Sequence, residues 1–199
     1  MKSRHISTLL LAALFAAACG MVYAQNETGH FSLMPYAGLG YGGDPGIMAD
    51  APVFYLIALG GADARYAISP HWSLLSGLEY QYRMTKGTAV GADGLEIRDY
   101  TKKEHVLHVP LLLEYRYRWF YAQTGPYAEF SFDRITGRKT RELGIFGGEL
   151  ELGAAIPISE QGCLRAGLRM ESGKRVLSNG HIWCWNFNSM VRIGYEHTF

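Results

Sequence analysis

From Trp185 to Phe199 the chain alternates. Trp185, Phe187, Val191, Ile193, Tyr195 and Phe199 fall on one parity; Asn186, Asn188, Met190, Arg192, Gly194, Glu196 and Thr198 fall on the other. A period of two marks a strand with one apolar and one wet face. A soluble sandwich can end on such a strand, but soluble chains usually finish in a polar, frayed tail. Read upstream with turn residues as punctuation, the same pattern predicts seven more strands. They span about His30–Gly40, Phe54–Ile68, Trp72–Met84, His105–Arg118, Phe120–Phe132, Leu143–Ile158 and Cys163–Gly173.

The connections alternate in length. Long ones cover Tyr41–Pro52, Thr85–Glu104, Asp133–Glu142 and Lys174–Cys184, and short ones lie at Ser69–His71, near Trp119, and at Ser159–Gly162. A sandwich has no need of that order. Short turns on one side and long loops on the other are what a membrane barrel with both termini in the periplasm requires. The expected fold is all-β: an eight-stranded antiparallel up-and-down transmembrane β-barrel.

Charges then identify the lumen. Asp63 and Arg65, Glu79 and Arg83, Glu114, Arg116 and Arg118, and Glu129 each share a parity within their strands. So do Glu149 and Glu151, then Arg165, Arg169 and Glu171, then Arg192 and Glu196. An Arg or Lys on the lipid face at the midplane costs about 2–4 kcal/mol, so these residues must face inward. The two signs are nearly balanced and every cation is Arg, which suits bidentate pairing with carboxylates. Eight strands leave only enough room for side chains, so a salt-bridged plug is expected and an open pore is not.

Aromatics gather at strand ends. Tyr66, Trp72, Tyr117, Trp119, Phe120, Tyr195 and Phe199 lie toward the short turns; Phe54, Tyr55, Tyr80, Tyr82, Trp183 and Trp185 lie toward the long loops. Two such belts anchor a barrel at the two membrane interfaces.

The other end of the chain bears on compartment. Lys2 and Arg4 precede an apolar run, Leu9–Ala18, too short to span a bilayer, and Val22-Tyr23-Ala24 offers small residues for cleavage. Residues 1–24 thus read as a cleavable secretory signal and 25–199 as the barrel domain. Lipidation at Cys19 is the rival, but Ala16 stands where that motif wants Leu. Cleavage leaves Cys163 and Cys184, placed near opposite rims, and no disulfide is expected between them. With 19 Lys and Arg against 18 Asp and Glu, the net charge of +1 argues against nucleic-acid binding.

Chemical motifs are weak. His105 and His108 are three apart, so on a strand they point to opposite faces and cannot chelate together. The glycines of Gly38–Gly46 lack a following helix or Lys-Ser/Thr, so they read as an outer loop. Glu149 and Glu151 resemble a glycosidase pair, yet arginines surround them. Ser178, His181 and Glu171 can be drawn as a triad, but no nucleophile elbow frames them. No catalytic, metal or cofactor residue is assigned.

Several stretches carry a resemblance: Ala64–Pro70 before Trp72-Ser73-Leu74, His108–Tyr115, Phe120–Tyr127, and terminal Phe199. In series they resemble the porin family of outer-membrane β-barrels common in Bacteroidota, and the architecture is similar to small OmpA- and OmpX-type barrels. His197 departs from the usual terminal pattern, where a large apolar residue is more ordinary. The resemblance implies an outer-membrane location, lipid and the barrel assembly machinery as partners, Phe199 as the assembly signal, and no catalytic residues. The expected function is a non-enzymatic, monomeric envelope protein acting through its loops. The alternatives are a lipid-modifying enzyme at the outer rim and a lateral transporter of small hydrophobic molecules.

Overall fold

A computed structural model describes residues 29–44, 53–90, 97–132, 142–159, 161–177 and 182–199. The predicted leader, Cys19, Ser178 and His181 lie outside the described residues. The strands are β1 (Phe31–Asp44), β2 (Val53–Ala67), β3 (Trp72–Val90), β4 (Ile97–Tyr117), β5 (Phe120–Ser131), β6 (Glu142–Pro157), β7 (Gly162–Leu177) and β8 (Ile182–Thr198). Each pairs antiparallel with the next, and β8 returns to β1 to close the barrel. Ser32 pairs with Thr198, Tyr36 with Gly194 and Gly43 with Phe187. The Phe199 amide then donates to the Phe31 carbonyl at 3.0 Å. Closure leaves no strand edge facing hydrocarbon, where each orphaned backbone group would cost several kcal/mol.

The short turns are tight for local reasons. Ser69 Oγ accepts the amides of His71 and Trp72 at 3.4 and 3.0 Å, fixing the β2–β3 turn. Arg118 takes the left-handed region at φ 56°, rare outside glycine, so the chain reverses between β4 and β5 in two residues. That turn corrects one lumen assignment. Arg118 is exposed, with its guanidinium over the Tyr117 ring at 5.4 Å, because face alternation ends where the backbone reverses.

Three predicted loops are partly strand: Tyr41–Pro52 as far as Asp44, most of Thr85–Glu104, and Lys174–Cys184 at both of its ends. β3 and β4 stay paired out to Val90 and Ile97, so most of Thr85–Glu104 is a hairpin. Beyond the lipid both faces meet water, and backbone pairing continues without an apolar alternation to announce it. Likewise β1 runs through the glycines to Asp44. Gly38, Gly40 and Gly42 take the inward parity. A Cβ at Gly40 would collide with Met190 Cγ, and one at Gly42 with Tyr55 Cε2. These glycines clear space for large lumenal neighbours.

Outside, Leu150, Leu152, Leu168, Met170, Val191 and Ile193 are exposed on adjoining strands. A patch so large and apolar belongs in a bilayer. Tyr66, Trp72, Tyr80, Tyr117, Trp119, Phe120, Trp185, Tyr195 and Phe199 are exposed as predicted, with Tyr82 half-buried. Trp183 lies on β8, its side chain outside those described. Tyr55 corrects the outer belt: it is buried and points inward, one residue out of parity with exposed Phe54. From Tyr195 to Trp185 the strand covers about 33 Å at roughly 3.3 Å per residue. A tilt near 40° makes that about 25 Å along the normal, the height of a lipid-facing band.

Candidate functional site

The lumen is the site the fold builds. Inward parity brings Asp63, Arg65, Glu79, Arg83, Glu114, Glu129, Glu149, Glu151, Arg165, Arg169, Glu171, Arg192 and Glu196 together, all buried, with Arg116 half-buried at the turn end. Three groups of contacts follow one another along the axis.

At the turn end, Arg65 Nε donates to Glu114 Oε1 at 2.9 Å, and Arg165 Nη2 donates to Glu114 Oε2 at 2.5 Å. Glu196 accepts from Arg65 at 3.3 Å, Arg116 at 2.7 Å and Arg165 at 3.0 Å. Both oxygens of each carboxylate are therefore bonded to arginine. The Tyr121 ring lies 3.9 Å from the Arg165 guanidinium carbon, adding a cation–π contact.

Midway, Arg192 donates to Asp63 at 2.7 Å, lies 3.3 Å from Glu151 and sits over the Tyr36 ring at 3.7 Å. The hydroxyls of Tyr36 and Tyr121 donate to Asp63 and Glu151 at 3.2 and 2.6 Å.

Toward the loops, Arg83 donates to Glu129 at 2.6 Å and Arg169 to Glu79 at 2.5 Å. His108 sits among them, fully buried and stacked on Tyr127 at 4.7 Å. Its Nε2 donates to Glu149 Oε2 at 2.8 Å. Its Nδ1 faces Glu129 Oε1 at 3.3 Å and Glu171 Oε1 at 3.8 Å. One ligand atom from each of Glu79, His108 and Glu171 lies within 4.8 Å of the others.

His105 does point away from His108. It is on the outer face, where its Nδ1 meets the Tyr80 hydroxyl at 2.5 Å. What sequence reasoning missed is His108 as a lumen residue in its own right. The signal was available: the parity that turns Glu114 inward also turns Leu112, Pro110 and His108 inward. Gln123 was missed for a similar reason, since an uncharged amide carries no lipid-face penalty large enough to stand out. Glu149 and Glu151 share a face but have separate partners, His108 and Tyr121. Glu171 accepts from Asn188 inside the lumen at 2.8 Å, away from any outer rim. Cys163 pairs in register with Glu196 at the turn end, and Cys184 is the third residue of β8, at the opposite end.

The cavity bordered by Arg83, Glu129 and Ile145 at the loop end holds about 10 Å³, at most one water.

The chain matches no protein-family model and no curated protein. Among solved structures it is similar to the outer membrane protein AlkL, determined by solid-state NMR in DMPC bilayers. That match has a TM-score of 0.55 at 11% identity and covers 88% of this chain and 92% of AlkL. It is also similar to Neisserial surface protein A, with a TM-score of 0.50 at 14% identity, covering 87% of this chain and all of the other. Closed, all-antiparallel and eight-stranded, the fold is that of small outer-membrane β-barrels.

Proposed function

We propose that this protein is a non-enzymatic, integral outer-membrane barrel of a Gram-negative envelope, sealed against solute flow and acting through what its outer strands and loops present. Residues 1–24 export it, Phe199 helps the assembly machinery recognise it, and it works as a monomer of the porin-family type its motifs resemble. The observation that carries this reading is the lumen. Arginines from β2, β3, β4, β7 and β8 cross it to carboxylates on other strands, and the cavity beside Arg83 at the loop end holds about one water. Such pairs do little for net stability, because desolvation offsets most of the attraction. They do fill the bore and tie opposite walls together.

Planar-bilayer recording of the refolded barrel tests the seal. The expected result is no steady conductance above the lipid background. A large, stable single-channel current would defeat it.

A further inference from the structure

At the loop end of the lumen, four carboxylates, Glu79, Glu129, Glu149 and Glu171, face two guanidinium groups, Arg83 and Arg169. Even with His108 counted as a cation, the four carboxylates outnumber the positive charges by one. One oxygen of each of these four glutamates accepts no hydrogen bond: Glu79 Oε2, Glu129 Oε2, Glu149 Oε1 and Glu171 Oε1. Arg169 Nε approaches Glu171 Oε1 at 3.1 Å but is itself without a hydrogen bond. Buried carboxylate oxygens left this way are costly and call for a cation.

Histidine geometry says where. Because Nε2 donates to Glu149 at 2.8 Å, a neutral His108 presents a lone pair at Nδ1. That atom meets Glu129 Oε1 in a long hydrogen bond at 3.3 Å, with Glu171 Oε1 at 3.8 Å, so a coordinating cation takes the place of its proton. These distances are long for an imidazolium N–H on a carboxylate, which draws in to about 2.7–2.9 Å. The candidate ligand atoms on Glu79, His108 and Glu171 lie within 4.8 Å of one another, and bonds of about 2.0–2.2 Å to one ion would draw them to roughly 3.3 Å apart.

The remaining atoms are already held. Glu79 Oε1 accepts from Gln81 at 2.7 Å and Arg169 at 2.5 Å, and Glu171 Oε2 accepts from Asn188 at 2.8 Å. Glu79 and Glu171 thus each have one oxygen fixed by a neighbour and one that accepts no hydrogen bond. Metal-binding histidines and carboxylates are oriented in this way by an outer set of partners. We propose that the loop-side lumen binds one divalent transition-metal cation through His108 Nδ1, Glu79 and Glu171, with Glu149 fixing the histidine tautomer. A mixed imidazole and carboxylate set favours Zn²⁺ or a similar first-row ion over Ca²⁺ or Mg²⁺.

The test uses untagged barrel (residues 25–199), refolded in detergent, stripped with chelator and dialysed against micromolar Zn²⁺. Metal is counted by mass spectrometry and normalised to the heat-modifiable, folded fraction. Wild type should retain about one Zn²⁺ per folded chain, and His108→Gln and Glu171→Gln less than about a tenth of that. Glu149→Gln should weaken binding about 10–100-fold. His105→Gln, on the outer face, should bind as wild type. No metal on folded wild type, or equal metal on His108→Gln, would overturn the site. If the lumen variants do not fold, Co²⁺ added to wild type decides between the same two outcomes. Visible d–d bands with a shifted histidine ¹⁵N resonance support the site, and their absence refutes it.

Discussion

At the turn end of the lumen Glu114 and Glu196 face Arg65, Arg116 and Arg165; at the loop end Glu79, Glu129, Glu149 and Glu171 face Arg83, Arg169 and His108. Much the same residue types, from strand sets that share only β4 and β7, meet the cost of buried charge in two ways. Turn-end carboxylates have both oxygens bonded to arginine, and the third arginine leaves that end with surplus positive charge. Loop-end carboxylates each keep an oxygen without a donor. The first is a lock, complete within the chain. The second is a receptor for positive charge. A lumen can therefore be full of side chains and still divide into a part that holds the walls and a part suited to bind.

The largest effect should come from Glu114→Gln. Its two oxygens accept from Arg65 and Arg165, and Arg116 lies 3.1 Å away, so an amide group must turn donors toward guanidinium donors. Removing one partner of a buried ion pair costs about 3–5 kcal/mol. Equilibrium urea unfolding of the refolded barrel should show a loss of that size. A change below about 1 kcal/mol would mean the turn end is no lock.

Next comes the seam at the same end. Phe199 packs beside Phe31 and edge-on to His197, with ring centres 6.2 and 4.7 Å apart, and its amide ties β8 to β1. Deleting it, or Phe199→Asp, should cut heat-modifiable protein in outer-membrane fractions several-fold and raise periplasmic degradation. Phe199→Trp should be nearly silent. Equal folded amounts for deletion and wild type would show that closure does not depend on the terminus.

The smallest effect is expected where the comparison predicts tolerance. Glu149→Gln keeps an oxygen to accept from His108 Nε2 and removes a negative charge from a crowded group. In chelator-treated protein, its unfolding free energy should differ from wild type by under about 1 kcal/mol. Should it destabilise as much as Glu114→Gln, the two ends would be equivalent and the contrast would fall.

Much of this was legible residue by residue. Parity within β8 foretold which side chains face lipid, and charge segregation on β2, β3, β6 and β7 foretold the lumen, because the bilayer penalises any other arrangement. Arg118 escaped because parity fails at a turn. Gly38, Gly40 and Gly42 escaped because glycine signals loops and close packing alike. The outer half of the β3–β4 hairpin escaped because water makes no demand for alternation.

Sequence by itself thus determined the barrel, its strand count, its direction of alternation and the identity of its lumen charges. All of these follow from local periodicity and from the cost of polarity in hydrocarbon. Only the tertiary structure decided which charges meet. Arg165 reaches Glu114 across 51 positions and Arg169 reaches Glu79 across 90, because closure sets register and side-chain length sets reach across the bore. The convergence of His108 with Glu79 and Glu171 is of the same kind. Each residue is on β3, β4 or β7 for reasons of parity alone, and the curvature of the closed sheet makes them neighbours.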